Sequence, residues 1–326
     1  DTKAVHVTRF GDVDVLRPVD LAPRPRGPGD TVNAVEASGV NYADLYFRKG
    51  AFPGLPRPPF VLGQEGVGTV IQAPADGVAP GRRVAFATFG SYAEEVVIPP
   101  DGEPWQIAVP ISDDMAVGQA AGLAMSGRTA VLLSDGVPAE GEGDTVLVYA
   151  GAGGVGWFLC QLLAGKGLRV VALVGSDDKK RVLRPLDLTQ VINRHDADAD
   201  TRMAAAAPHG FKAIFNAAGG ATIARDLARL APLGRLIWYG FGAGAGAPGV
   251  AKAVARNFMK SVSLTTFNGG VHTRARNIAA INDLATRIDR WTVLPIASRG
   301  LPLARASEAH CQLENGQFGG KIHLTM

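Results

Sequence analysis

The chain has 326 residues, of which 47% are apolar and 19% charged, and its 33 Lys and Arg against 30 Asp and Glu leave a formal net charge of +3. That length exceeds what one hydrophobic core organises and predicts two domains. The basic excess is small and scattered, which argues against nucleic-acid binding, and no apolar run reaches the roughly 18 to 20 residues of a membrane span. Cys160 and Cys311 are too few for a disulfide framework or a thiolate metal cage, which fits a reducing cytoplasm.

In chain order, residues 1–7 form a charged lead into a strand. Through about residue 110 the sequence is rich in Pro and Gly, lacks long helical periodicity, and carries β-like runs at residues 67–71, 83–87 and 93–98. This predicts a strongly bent sheet or partial barrel with long loops. From Asp144 to Asp289 short apolar runs alternate with helix-like segments, the pattern of a parallel sheet wrapped by helices. Strands are predicted at 146–150, 169–174, 190–193, 213–216, 235–239 and 263–267, which together make a complete doubly wound sheet. Residues 242–249 form a Gly/Ala loop after the fifth of these, where backbone can approach a ligand. The tail, 296–326, brings a strand, a helix over 304–314 and a strand over 321–324. With no core of its own, it is expected to fold back onto the first domain, so that the central unit is an insertion.

The most telling segment is the run from Val146 to Ala150 followed by Gly151, Ala152, Gly153, Gly154, Val155 and Gly156, which satisfies G-x-G-x-x-G. In a chain with 41 Gly the pattern alone is weak, but here an apolar strand precedes it and a helix face of Val155, Leu159, Leu162 and Leu163 follows. A strand, turn and helix in that order offer backbone N–H groups and a positive helix end to a pyrophosphate, so a dinucleotide is the expected cofactor. The competing reading is a glycine turn that only lets helix and sheet pack closely. Cys160, on that helix among apolar residues, reads as a small buried hydrophobe.

Other blocks extend the pattern. They are Asn41-x-x-Asp44-x-x-x-Arg48-x-Gly50, Gly63-x-Glu65-x-x-Gly68, the run Gly90 to Glu94, the run Ser126 to Ala130, and Gly319-Gly320-Lys321-Ile322. With the glycine loop placed second rather than first, nearly the full length of the chain resembles the zinc-free quinone oxidoreductase branch of the medium-chain dehydrogenase/reductase superfamily. The resemblance implies an α/β fold in which a Rossmann doubly wound parallel sheet, residues 119–267, is inserted in a GroES-like, mainly β, substrate domain of residues 1–118 and 268–326. It also implies a cytoplasmic homodimer, with a strand over 263–267 at the sheet edge pairing across a two-fold axis.

Zinc-dependent relatives in this superfamily hold a catalytic metal with a Cys and with the His of a Gly-His-Glu block. The corresponding positions here are read as Ser38 and Gln64, and a hydroxyl and a carboxamide are poor substitutes for thiolate and imidazole. No metal is expected, and Glu65 is read as a structural hydrogen-bond acceptor. For the cofactor, the second strand ends at Val174-Gly175-Ser176-Asp177-Asp178-Lys179, without an acid at the strand end itself. Ser176 and Lys179 match the family's Ser-x-x-Lys pattern for the 2′-phosphate of NADPH, while Asp177 and Asp178 suit the N-terminus of the next helix. Where the family commonly places a tyrosine after the third strand, Arg194 offers a guanidinium to a phosphate or to adenine, or else to solvent.

The resemblance further implies Asn41 near the nicotinamide ribose and the acceptor, Ser126 and Thr129 facing the nicotinamide end, and Gly240, Phe241, Phe267 and Asn268 closing the cofactor cleft. For Ser126 and Thr129 the alternative is helix packing with local hydrogen bonds. Tyr46 is the expected catalytic and substrate contact, since a phenol stays protonated at neutral pH and can donate to a developing oxyanion. Phe52 and Gln64 are expected beside it; Phe52 occupies the place where enoyl-thioester reductases of the superfamily carry a proton-donating tyrosine. Tyr46 and Phe52 also suit a purely cleft-lining role. Asp44 and Arg48, four apart, are expected to pair on a short helix. The expected activity is NADPH-dependent reduction of quinones or activated alkenes on a small-molecule substrate. Alternatives are a biosynthetic tailoring enzyme and a catalytically silent NADPH-binding protein.

Overall fold

Over residues 33–37 of the strand Thr31–Gly39 burial alternates, with Asn33, Val35 and Ala37 buried and Ala34 and Glu36 exposed, the period-two pattern of a half-buried strand. The computed structural model describes residues 1–52, 54–137 and 143–326, and this strand, absent from the sequence-based assignment, is central to the first of two units. That unit comprises Asp1–Thr129 and Gly269–Met326. Among the described residues its larger sheet has seven strands. Along it run Ser298–Pro302, Lys321–Thr325, Thr31–Gly39, Glu65–Gln72, Arg83–Ala87 and Ile107–Pro110, with Glu95–Ile98 also pairing to Thr31–Gly39. A smaller sheet joins Leu16–Leu21, Thr2–Val7 and Phe60–Val61.

The tail packs against the start of the chain. Lys321–Thr325 runs antiparallel to Thr31–Gly39, and Leu301, Leu303, Ala309, Ile322 and Leu324 share one core with Val5, Val7, Leu62 and Tyr92. Each fully buried Leu or Val contributes on the order of 1.5–3 kcal/mol relative to exposure, so the two ends of the chain hold a common core rather than a loose appendage. Tyr42–Lys49 and Ala306–Glu314 are the helices that flank it.

The second unit is Ala130–Asn268. Among the described residues its six strands are all parallel and lie in the order Gln190–Asn193, Arg169–Val174, Thr145–Val148, Phe211–Asn216, Leu230–Trp238, Ser263–Thr266. Numbered along the chain, that order is 3-2-1-4-5-6, the doubly wound arrangement. Arg169–Val174 is buried at every residue but the first, as a strand covered by helices on both faces requires. Leu147, Val171, Ile214 and Leu236 form the centre of the core with Ile223, Leu227 and Met203 from the helices. Ser263–Thr266 lies at the sheet edge and is mostly exposed. Among the described residues no helix is long and apolar enough to cross a membrane.

Candidate active site

Because the six strands are parallel, their C-terminal ends share one edge, and the loops there hold most of the residues expected to bind a dinucleotide. The first strand stops at Val148, two residues earlier than the apolar run suggested, because Ala150 takes a left-handed conformation with φ 52°. The chain then turns into the helix Gly156–Gly165. A Cβ on Gly156 would lie 2.1 Å from the carbonyl oxygen of Ala150, and one on Gly151 would lie 2.9 Å from the Cβ of Ala172. Only glycine lets the helix start this close to the strand end and the turn pass the second strand. The Gly153 N–H donates to the Ala150 carbonyl at 3.0 Å and the Trp157 N–H to the Gly153 carbonyl at 3.0 Å, which fixes the turn around Ala152, Gly154 and Val155. The first N–H groups of a helix have no intrahelical acceptor, so this loop fits a pyrophosphate.

At the end of the second strand, Ser176 caps the helix Asp177–Val182, its Oγ accepting from the Lys179 backbone N–H at 3.2 Å. The hydroxyl proton remains available as a donor. The two acids that follow are turned to other partners: Asp177 accepts from the Asn193 amide at 3.0 Å, and Asp178 pairs with Arg181. Lys179 and Arg194 are left as neighbouring cations, neither in an ion pair among the described residues. Burial, and then the charge of Arg194, lowers the Lys179 pKa. The Arg194 side chain lies over Gly175, its Nε 3.8 Å from where a Cβ would stand. A site with two unneutralised cations and a hydroxyl fits a phosphate monoester better than a ribose diol.

Beyond the fourth strand, Asn216 organises a turn that the sequence reading passed over. Its Oδ1 accepts from the backbone N–H groups of Ala218 and Gly219 at 2.8 and 2.9 Å, and its amide donates to Thr222 and Asp226. The Ala243 N–H donates to the Ala218 carbonyl at 2.6 Å, tying this turn to the loop that holds Gly240 and Phe241. Trp238 donates through its indole N–H to the Gly240 carbonyl at 2.7 Å and packs edge-on against Phe241. Phe267 follows the edge strand, its N–H donating to the Trp238 carbonyl, and Asn268 is exposed beside it. The signal for Asn216 was present in the run Asn216-Ala-Ala-Gly-Gly220 directly after a strand.

In the other unit the residues converge on Glu65, which is fully buried. Its carboxylate receives the Asn41 amide at 2.8 Å, the Lys321 ammonium at 2.7 Å, the Ser126 hydroxyl at 3.1 Å, and the backbone N–H groups of Met125 and Ser126 at 2.6 and 3.3 Å. Those two N–H groups belong to a π-helical turn, Leu123–Gly127, a geometry that occurs mostly as single turns and often at functional sites. Space for the carboxylate comes from Gly39, where a Cβ would lie 2.6 Å from Glu65 Oε1. Lys321 also donates to Asn41 Oδ1 at 2.9 Å and to Ser126 Oγ at 2.6 Å. In the sequence Lys321 stands only within a strand and a terminal block. Ser126 is spent inside this cluster and 3% exposed, and Thr129 is half-buried.

Asp44 and Arg48 do not pair with each other. Asp44 accepts from the Asn41 backbone N–H at 2.8 Å, the Tyr92 hydroxyl at 3.3 Å and the Gln64 amide at 3.5 Å. Arg48 instead meets His310 Nδ1 at 3.0 Å and Glu314 at 2.9 Å, both on the C-terminal helix. A guanidinium only donates, so His310 accepts at Nδ1, carries its proton on Nε2 and donates to the Tyr92 oxygen at 3.0 Å. The result is a buried chain of donors, Arg48 to His310 to Tyr92 to Asp44. Burial pushes the Asp44 carboxyl up to about 7 despite those donors, and burial followed by the Arg48 charge lowers His310 to about 3.

Tyr46 is half-buried, its ring 6.0 Å from that of Phe52, which meets Phe47 edge-on at 5.0 Å. Phe47 and Phe89 lie 6.5 Å apart and Phe89 meets Trp105 at 4.8 Å, so the aromatic group extends beyond the residues expected from sequence. Ser38 shares a hydrogen bond with Ser91 at 2.7 Å and donates to the Glu65 carbonyl, while the Gln64 amide donates to Asp44. Among the described residues no three His, Cys, Asp or Glu side chains converge as metal ligands.

Two families match the chain: the alcohol dehydrogenase GroES-like domain over residues 27–110 and the zinc-binding dehydrogenase domain over residues 154–285. A quinone oxidoreductase of Pseudomonas aeruginosa is 27% identical, over 99% of this chain and 99% of its own. Among solved structures, a mycobacterial quinone oxidoreductase is 31% identical with a TM-score of 0.82, and the Escherichia coli quinone oxidoreductase complexed with NADPH is 25% identical with a TM-score of 0.90. Each of these two comparisons covers 100% of both chains.

Proposed function

The chain belongs to the zinc-free quinone oxidoreductase branch of the medium-chain dehydrogenase/reductase superfamily, and from that premise we propose that it binds NADPH and reduces quinones or activated alkenes without a metal. The observation that carries the cofactor assignment is the pair of unneutralised cations, Lys179 and Arg194, beside the Ser176 hydroxyl at the end of the second strand. The NADPH complex of the Escherichia coli relative supports the same reading.

When bound, a dihydronicotinamide supplies the acceptor with a hydride. The glycine turn 151–156 takes the pyrophosphate, and Ser176, Lys179 and Arg194 take the 2′-phosphate. The loops holding Gly240, Phe241, Phe267 and Asn268 enclose the rest of the cofactor. Addition of hydride to an enone or quinone leaves negative charge on an acceptor oxygen, and one proton completes the reduction. Tyr46 is the donor in this reading. Its phenol gives that proton to the oxygen, with water replenishing it, while the rings of Phe52 and Phe47 offer an apolar edge to a planar acceptor.

The test follows NADPH oxidation at 340 nm with 1,4-benzoquinone and with a simple enone, for the natural chain and for Tyr46→Phe. We expect turnover with at least one acceptor, and a kcat about a hundredfold lower in the variant at unchanged NADPH affinity. Tight NADPH binding with no turnover on either acceptor would leave a cofactor-binding protein without this chemistry. Full activity in Tyr46→Phe would remove Tyr46 from its role.

A further inference from the structure

The Glu65 cluster contains four side chains, and the count of its protons is informative. An ammonium has three donors, and those of Lys321 go to Asn41 Oδ1, Glu65 Oε1 and Ser126 Oγ at 2.9, 2.7 and 2.6 Å. The single hydroxyl proton of Ser126 lies between Asn41 Oδ1 and Glu65 Oε1, at 3.2 and 3.1 Å. Asn41 has two amide protons, and one goes to Glu65. Its second amide proton is therefore the one donor of the four side chains left without a partner among the described residues. Glu65, Ser126 and Lys321 are 0, 3 and 4% exposed, whereas Asn41 is partly exposed. The cluster thus presents a single donor to the outside.

Its orientation is fixed by charge. Rotating the Asn41 carboxamide by half a turn would set its N–H groups against the Lys321 ammonium and its oxygen against the Glu65 carboxylate. Both contacts are like against like, and in a buried site each forfeits a charge-assisted hydrogen bond. Lys321 and Glu65 act as the two ends of a clamp, and because they are oppositely charged the clamp adds no net charge.

We propose that Lys321 is a positioning residue: its ammonium locks the Asn41 carboxamide so that the free amide N–H donates to an oxygen of the bound reactants. This rests on the reductase reading given above, but its structural half can be tested apart from turnover.

The structural test uses protein labelled with ¹⁵N at asparagine, with the Asn41 side-chain signal identified by its loss in Asn41→Ala. In the natural chain its two amide protons should be well separated in shift and slow to exchange with water. In Lys321→Met they should draw together and exchange at least about tenfold faster as the rotor is released. An Asn41 amide indifferent to Lys321→Met would overturn the proposal whether or not the chain reduces quinones. The kinetic test is a double-mutant cycle on kcat/KM. Lys321→Met and Asn41→Ala should each cost about tenfold to a hundredfold, and the double variant no more than the worse of the two. Multiplication of the two losses would mean that Lys321 does not act through Asn41. Lys321→Met leaves the Glu65 charge buried without a partner, so the same substitution is also made with Glu65→Gln, which restores neutrality. Recovery of the melting temperature without recovery of rate is expected, and recovery of both would assign Lys321 a structural role only.

Discussion

Under the proposed function, Lys179 is the side chain that would decide between two cofactors. Its charge is disfavoured first by burial and then by Arg194, and neither cation has a carboxylate partner among the described residues. A dianionic 2′-phosphate relieves that repulsion, whereas the ribose diol of NADH does not. A hydrogen bond to a charged group contributes about 1.5–3 kcal/mol, so Lys179→Ala should weaken NADPH binding about tenfold to a hundredfold and leave NADH binding nearly unchanged. Arg194→Ala should act in the same direction but less, because Arg194 is exposed and its field is screened by salt. Fluorescence titrations with both cofactors check this, and an equal loss for NADH and NADPH would show that the pair does not read the 2′-phosphate.

At the scale of the element, the strand, turn and helix at 145–165 depend on Gly156 for a different reason. The Cβ of an alanine there would meet the Ala150 carbonyl at 2.1 Å, and backbone on both sides leaves no flexible side chain to yield. Gly156→Ala should force the helix start away from the strand, cost about 1–3 kcal/mol of stability as an overpacked site does, and weaken NADPH at least tenfold. Thermal melts and the same titration test this; normal NADPH affinity in Gly156→Ala would mean that the turn does not hold the cofactor. This element was legible in the sequence because its information is local: an apolar run, a glycine cluster and a helix face within 20 or so residues. The central strand Thr31–Gly39 was not, since Asn33, Glu36 and Ser38 interrupt its apolar alternation and the register is set by strands distant in the chain. For the same reason Lys321 was invisible as a site residue, being 280 positions from Asn41. The expected Asp44–Arg48 pair shows the limit of spacing rules: the two are well placed on one helix, but His310 and Glu314 arrive from the other end of the chain and take the guanidinium.

At the scale of the whole molecule, the buried chain from Arg48 to Asp44 joins the helix Tyr42–Lys49 to the C-terminal helix Ala306–Glu314 and makes stability depend on pH in two opposed ways. Burial raises the Asp44 carboxyl from 3.8 to about 7. Between these values the folded chain holds a proton that the unfolded chain has lost, so this term stabilises at low pH and is lost as pH rises toward 7. His310 is lowered from 6.5 to about 3 by burial and then by Arg48. Here the unfolded chain holds the extra proton, so this term stabilises above pH 6.5 and is lost as pH falls. Across the shared window, about pH 4 to 6.5, the slopes oppose each other and the network contributes little net pH dependence. Removing one group uncovers the other. In Asp44→Asn, stability relative to the natural chain should climb with pH from about 4 to 7, while in His310→Gln, which keeps an acceptor for Arg48 and a donor for Tyr92, relative stability should decline from about pH 3 to 6.5. Urea unfolding at half-unit pH intervals measures both differences, and because every other titrating group is common to the three proteins, its contribution cancels. Parallel curves for the natural chain and both variants would mean that neither group changes its proton affinity on folding. Opposite tilts would establish that the two ends of the first unit are held together by a network balanced against itself.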